Sequence, residues 1–355
     1  MIVENIVLNE ERQVSLTAYI QQVGGPFDYI AKRPGILILP GGGYQYCSDR
    51  EADPAAMGFL KAGFQVFILR YSVKEHGTWP NPLEDYEQAM AFIRQNEEKW
   101  NLYKNKIAVL GFSAGGHLAG CAATMAKEKP NAAILGYAVT RGQDIQNCQS
   151  TAPDVVSAVD RKTCPCFVFA TRDDRVVPIE NSIAFIGALA AQGISFESHI
   201  YSHGPHGFST ADTSVQYKDT LICSRAQNWV EDSVAWLRDI FGNFGNLELT
   251  KPACPAHVSG DFEEYLSLDC TFGYLRKKKE AEPIMLPFLA WLEEHREEVA
   301  RSIGPAAFEI TGKMGMEGFC LMSDNRPFAE ILRNTDLSQQ EKERLAKELG
   351  KIKNV

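Results

Sequence analysis

The sequence lacks any run of about 18 unbroken apolar residues, the length a helix needs to cross a bilayer. Its first residues, MIVENIVLNEERQ, carry acids and no apolar leader, so a secretory signal is not expected. Positive charge is not in excess: 36 Lys and Arg face 45 Asp and Glu, for a formal net charge of −9. That balance argues against nucleic acid or an anionic membrane as the main partner. The single dense basic run, Arg276–Lys279, is followed closely by Glu280 and Glu282 and reads as a solvated helix face. Paired cysteine spacing is missing as well. The nine cysteines are scattered, and Cys164 and Cys166, the closest two, form neither a zinc knuckle nor a redox C-x-x-C. Reduced thiols in the cytoplasm are the expectation. Finally, the glycine triplet Gly41–Gly43 is not followed by the lysine of a phosphate loop and does not form G-x-G-x-x-G. Neither a nucleotide nor a metal cofactor is expected.

What is present is enough for a large core. The 355 residues are 45% hydrophobic and 23% charged, which suits one large α/β domain with an appendage. ILILP (36–40), FQVFILRYS (64–72), KIAVLGF (106–112), AAILGYAV (132–139) and CFVFAT (166–171) are near-continuous apolar runs of strand length. Such runs suit a parallel sheet covered on both faces. SFESHIYS (195–202) alternates more and adds a further strand, and QVSLTAYIQQ (13–22) supplies an antiparallel edge. Between them, PLEDYEQAMAFIRQNEEKW (82–100) opens on proline and acids, and NSIAFIGALAAQG (181–193) closes on Gly193, both helix signals. Strand and helix alternate, so the expected fold is a doubly wound, mostly parallel sheet spanning residues 1–245. Residues 242–260 are rich in Gly, Pro and Asn and read as a linker, leaving 246–355 as linker and helical extension. There LPFLAWLEEHREEVARSI (286–303) is amphipathic and Ser338 with Glu341 forms a capping box. TFGYLR (271–276) and PFAEILR (327–333) echo one another too briefly to count as a repeat.

The most informative stretch is KIAVLGFSAGGHLAG (106–120), which holds G-x-S-x-G as Gly111, Ser113 and Gly115 between a strand and a helix. A serine nucleophile must sit on a sharp, strained turn so that its oxygen projects above the sheet. Glycines two residues to either side remove Cβ atoms that would collide there. The nucleophile needs a base, and the base an acid, in the order Ser, Asp, His on loops after strands. CFVFATRDDRVVP supplies Asp173 and Asp174 as equal candidates, and HIYSHGPHGF supplies His199, His203 and His206. His199 falls inside a strand. His206 is favoured over His203 because Gly207 lets the chain turn the imidazole back over the sheet. His117, one turn past Ser113, reads as a packing residue.

With LPGGGYQYCSDRE, FILRYSV, IAVLGFSAGGHLAG, TRDDRVVPIENS and HIYSHGPHGF in this order, residues 35–210 resemble α/β-hydrolase carboxylesterases of the acetyl xylan esterase and esterase/lipase type. The resemblance implies an α/β-hydrolase fold and a triad of Ser113, Asp174 and His206. Asp174 is chosen because the family's aspartate stands four residues before a proline, here Pro178. It further implies an oxyanion hole from the amides of Ala114 and of Gly42 and Gly43. Those glycines match the H-G-G-G motif of esterases with Pro40 in place of the histidine.

The reaction so implied is hydrolysis of short-acyl esters, acetyl above all, on small molecules or oligosaccharides, through an acyl-enzyme and without a cofactor. Tyr44, Asp49, Arg50, Glu51 and Tyr71 are expected to border the substrate. The segment between residues 140 and 166 is short, so any cap over the pocket is small. The residues after 254 have no counterpart in a minimal hydrolase and are a candidate interface for a second copy. Two rivals stand: a serine peptidase of the prolyl-oligopeptidase type, and a non-catalytic hydrolase-like binding protein.

Overall fold

Alternating side chains on one strand serve two opposite cores. On β3 (Arg33–Leu39), Leu37 and Leu39 join one apolar cluster while Ile36 and Ile38 join the other. A strand buried on both sides has no polar face, which explains its unbroken apolar sequence. The computed structural model describes residues 1–354, grouped into two compact units, Met1–Ala256 and His257–Val355.

The first unit holds an eight-stranded sheet. Besides β3 it contains β1 (Ile2–Asn9), β2 (Val14–Ile20), β4 (Gln65–Arg70), β5 (Leu102–Phe112), β6 (Ala132–Gly136), β7 (Cys166–Thr171) and β8 (Phe196–Tyr201). Their order is β1-β2-β4-β3-β5-β6-β7-β8. From β4 to β8 every pairing is parallel, whereas β2 runs antiparallel to both β1 and β4. The expected edge, β2, is therefore an inner strand. The edge is β1, where Ile2, Val3 and Val7 stand exposed, and this weak alternation gave no strand signal.

Six helices clothe the sheet: α1 (Asp53–Lys61), α2 (Asn81–Gln95), α3 (Ser113–Thr124), α4 (Gly142–Ile145), α5 (Glu180–Ala191) and α6 (Trp229–Phe241). Tyr86, Met90 and Ile93 of α2, Leu118 of α3 and Phe185 and Leu189 of α5 enter one core. Phe59 of α1 and Trp229 and Leu237 of α6 enter the other, where Trp229 stacks on Phe169 at 4.2 Å between centroids. Gly193 takes φ +65° just past α5, the left-handed position that the sequence assigns to it.

The unit does not end at residue 245. Ala253 and Cys254 donate N–H bonds to the Asp239 carbonyl at 2.8 and 3.0 Å. Ser195, at the start of β8, donates its hydroxyl to Pro255 at 2.6 Å and its N–H to Ala256 at 2.9 Å. The Pro-rich stretch is strapped down, because its carbonyls complete donors that a sheet end would otherwise leave open.

The second unit is helical: α7 (Phe272–Lys277), α8 (Glu282–Ile303), α9 (Pro305–Met314), α10 (Met316–Ser323), α11 (Phe328–Arg333) and α12 (Gln339–Leu349). It has a core of its own around Phe272, Phe288, Leu292, Phe319 and Phe328. The capping box of Ser338 and Glu341 opens α12. The faint echo has a structural counterpart: Thr271 and Pro327 pair as an antiparallel bridge, and Phe272 and Phe328 stack as the first residues of α7 and α11. Both ends of the unit are tied, since Asn354 donates to the carbonyls of Asp261 and Glu263 and accepts from the Tyr274 hydroxyl. No described helix is long and apolar enough to cross a membrane.

Candidate active site

Ser113 is the first residue of α3, directly after β5, and its φ of +53° is one that a residue with a side chain adopts only under constraint. The glycines on either side explain why the chain tolerates it. A Cβ on Gly111 would stand 2.1 Å from the Gly115 carbonyl oxygen, and one on Gly115 would stand 2.1 Å from that of Leu39. Only glycine lets the elbow close against the end of β3.

Two loops complete the array. His206 follows β8, and its Nε2 lies 2.8 Å from Ser113 Oγ while its Nδ1 lies 2.7 Å from Asp174 Oδ2. Asp174 follows β7 and is 9% exposed; its other oxygen accepts the N–H groups of Val176 and Val177 at 2.8 and 2.9 Å. The neighbouring Asp173 instead accepts the Gly204 N–H at 2.8 Å, which anchors the histidine loop. Adjacent carboxylates with the same composition thus separate by direction. His203 turns to the Ser202 hydroxyl, and His199 lies on β8 between Glu197 and Asp232.

The glycine loop faces Ser113. Gly42 and Gly43 have φ of +136° and +62°, and a Cβ on Gly42 would stand 2.1 Å from the Tyr46 carbonyl oxygen. Gly42, Gly43 and Ala114 all line the cavity over Ser113 and His206. Gly41 does not share that role, because its N–H is held by the Glu51 carboxylate at 2.8 Å. Pro40, standing where a bracing histidine is common, accepts the Tyr71 hydroxyl at 2.6 Å, so the brace arrives from β4's end through a tyrosine.

The cavity measures about 590 Å³. Its wall mixes the apolar Val139, Ile145 and Val177 with the polar Ser48, Arg50 and Asp144. Of the residues expected to border substrate, Arg50 and Glu51 do line it, but Tyr44, Tyr71 and Asp49 do not. Tyr44 is 1% exposed with its hydroxyl 2.7 Å from His117 Nδ1, Tyr71 is held by Pro40, and Asp49 pairs outward with Arg70. Tyr46 takes the place expected for Tyr44, because positive φ at three successive residues breaks the simple alternation of sides. Asp144 and Asn147 were missed for want of any motif; they sit on and just after the one-turn α4.

Burial pushes the Glu51 carboxyl above its ordinary range, although the bonds from Tyr137 and Gly41 and the attraction of His206 oppose that rise. Burial likewise pushes His117 down to about 4. Among the described residues, no three His, Cys, Asp or Glu side chains converge as a metal site. The arrangement can deliver a serine alkoxide equivalent to a carbonyl and gather amide N–H groups around the resulting oxyanion.

The BD-FAE family model matches residues 26–136. Endo-1,4-beta-xylanase B of Butyrivibrio fibrisolvens is 32% identical over 211 residues, covering 51% of this chain and 33% of that protein. The acetylxylan esterase of Xylanibacter ruminicola is 30% identical over 227 residues, covering 58% of this chain and 45% of that protein. The chain therefore spans less than half the length of these two curated relatives. Among solved structures, an α/β hydrolase enzyme, MGS-M1, from a Medee basin deep-sea metagenome library is 40% identical with a TM-score of 0.63. The match covers 68% of this chain and 98% of that one. A solved hydrolase matched almost end to end at this identity leads to one conclusion: the chain belongs to the α/β-hydrolase family.

Proposed function

We infer that the protein is a serine carboxylesterase that removes short acyl groups, acetyl above all, from oligosaccharides. The observation that carries this reading is the continuous relay from Ser113 Oγ through His206 to Asp174, at 2.8 and 2.7 Å. His206 Nδ1 carries the proton, since the Asp174 carboxylate can only accept, and Nε2 is then free to take the proton of Ser113. The oxygen of Ser113 attacks the ester carbonyl, and the amides of Ala114, Gly42 and Gly43 receive the charge that develops. The imidazolium returns its proton to the departing alcohol. Water, activated by the same imidazole, then releases the acid and frees Ser113.

The size and lining of the cavity support a small acyl group on a polar alcohol. A pocket of about 590 Å³ with Arg50, Asp144 and Ser48 among its walls suits a sugar ester better than a long lipid chain. The names of the relatives favour the same substrate class. Nine unpaired thiols suit a reducing cytoplasm, and exposed Leu286, Met314 and Leu321 on the helical unit offer a surface for a second copy.

Assays with p-nitrophenyl acetate, butyrate and octanoate test the reading, beside mass spectrometry of acetylated xylo-oligosaccharides. Activity should fall with chain length, the oligosaccharides should lose acetyl mass, and Ser113→Ala should lower kcat by about 10⁴-fold or more. Acetate hydrolysis that survives Ser113→Ala would sink the mechanism, and a preference for an aminoacyl anilide would point to a peptidase instead.

A further inference from the structure

We propose that Glu51 is a positioning residue: one buried carboxylate that braces both the glycine loop, with its oxyanion donors, and the loop that carries His206. The proposal rests on the Ser113-centred reading above. Glu51 is 5% exposed and belongs to the short turn Asp49–Glu51. Its Oε2 accepts the Gly41 N–H at 2.8 Å, and its Oε1 accepts the Tyr137 hydroxyl at 2.7 Å. The Tyr137 oxygen in turn accepts the N–H of Ser209, three residues past His206, at 3.0 Å. The Tyr137 ring stands edge-on to the His206 imidazole with centroids 5.1 Å apart. Ser209 closes the circuit, donating its hydroxyl to the Arg50 carbonyl while its own carbonyl accepts Trp229 Nε1–H at 2.8 Å.

Three features separate this circuit from ordinary core bonding. It lies against the nucleophile: a Cβ on Gly41 would stand 2.8 Å from Glu51 Oε2 and 3.0 Å from Ser113 Cβ. It also selects the donors. With the Gly41 N–H committed to Glu51, the amides of Gly42 and Gly43 remain to face the substrate, and their direction depends on where Gly41 is held. Finally, Tyr137 and Ser209 have φ of +35° and +49°, conformations that persist only where the surroundings over-determine them. Removing the carboxylate leaves two buried donors without acceptors, the Gly41 N–H on the glycine loop and the hydroxyl of Tyr137, which holds Ser209 of the histidine loop.

The test uses the full chain and two independent readouts. In hydrolysis of p-nitrophenyl acetate, Glu51→Ala should lower kcat by about 10²-fold, as expected for a misplacement of about 1 Å at the reacting centre. Glu51→Gln keeps one acceptor and should lose about tenfold, with KM within about twofold of wild type in both variants. Tyr137→Phe, which removes one oxygen, should match Glu51→Gln and keeps the test open should Glu51→Ala not fold. Hydrogen-exchange mass spectrometry should show peptides over residues 41–46 and 204–210 losing protection together in Glu51→Gln and Tyr137→Phe. Unchanged kcat in both variants, an effect confined to KM, or loss of protection at one loop alone overturns the proposal. Should Ser113→Ala hydrolyse acetate as wild type does, the esterase reading fails, while the exchange readout still decides whether Glu51 braces both loops.

Discussion

At the scale of single residues, His117 shows how burial turns an ordinary side chain into a pH-dependent element of stability. Its Nε2 lies 2.9 Å from the Pro153 carbonyl, which can only accept, so Nε2 carries the proton and Nδ1 accepts from the Tyr44 hydroxyl. The neutral ring ties the glycine-loop tyrosine to the short segment that follows α4. Protonation would place a charge in a fully buried site, so burial pushes the pKa down to about 4 from an ordinary 6.5. The unfolded chain takes up that proton near pH 6.5, whereas the folded chain resists until about pH 4. Stability from this group is therefore complete above pH 6.5 and lost as pH falls towards 4, a difference of roughly 3 kcal/mol. Urea unfolding of wild type and His117→Gln at several values between pH 7.5 and 4 checks this. The variant, though less stable at neutral pH, should lose less on acidification, and parallel curves would refute the assignment.

At the scale of elements, the junction of β5 and α3 is set by the space available to one atom. A methyl group on Gly115 has no room, because it meets the Leu39 and Pro40 carbonyl oxygens at 2.1 and 2.5 Å. Backbone cannot yield as a flexible side chain does, so Gly115→Ala should destabilise by about 1–3 kcal/mol and depress activity by moving Ser113. Gly187→Ala on α5 is the matched control. Nothing lies within 4 Å of its added Cβ, so the higher helix propensity of alanine should leave stability equal or up to about 1 kcal/mol greater. Thermal unfolding of the two variants decides, and equal shifts would show that crowding at the elbow is not the constraint. These elements were largely readable in advance. Apolar runs of strand length, a glycine at the end of α5 and the capping box of α12 are local signals. β1 was not readable, since its exposed Ile2, Val3 and Val7 give an edge strand no distinctive pattern.

At the scale of the whole molecule, the boundary of the first unit follows hydrogen bonds rather than composition. The Gly, Pro and Asn content of residues 242–260 suggests a free linker, yet Pro255 and Ala256 hold Ser195 at the start of β8. Every residue lining the cavity lies between Gly42 and Gly207. A chain ending at Ala256 should therefore keep kcat for p-nitrophenyl acetate within about twofold of full length. One ending at residue 245 should unfold at a Tm lower by several degrees, as about 1–2 kcal/mol of lost bonding implies for a unit of this size. Should the two truncations behave alike, residues 246–256 are not part of the unit's fabric.

What the sequence determined by itself is whatever a few neighbouring residues can encode. The strands of a sheet buried on both faces, the G-x-S-x-G elbow and the order of nucleophile, acid and base are all of this kind. The resemblance to esterases chose Asp174 where spacing left Asp173 equal, and the two carboxylates point to His206 and to Gly204. Only the tertiary structure decided which residues surround that array. Tyr44 and Tyr71 left the cavity for interior bonds, Tyr46 and Asp144 entered it, and Glu51, which lines it as expected, also accepts from Gly41 and Tyr137. Glu51 and Tyr137 lie 86 residues apart in the chain, so no local spacing relates them. Their meeting is fixed by where β3 and β6 sit in the sheet, and a side chain's direction at a loop depends on φ and ψ values that residue type alone does not set.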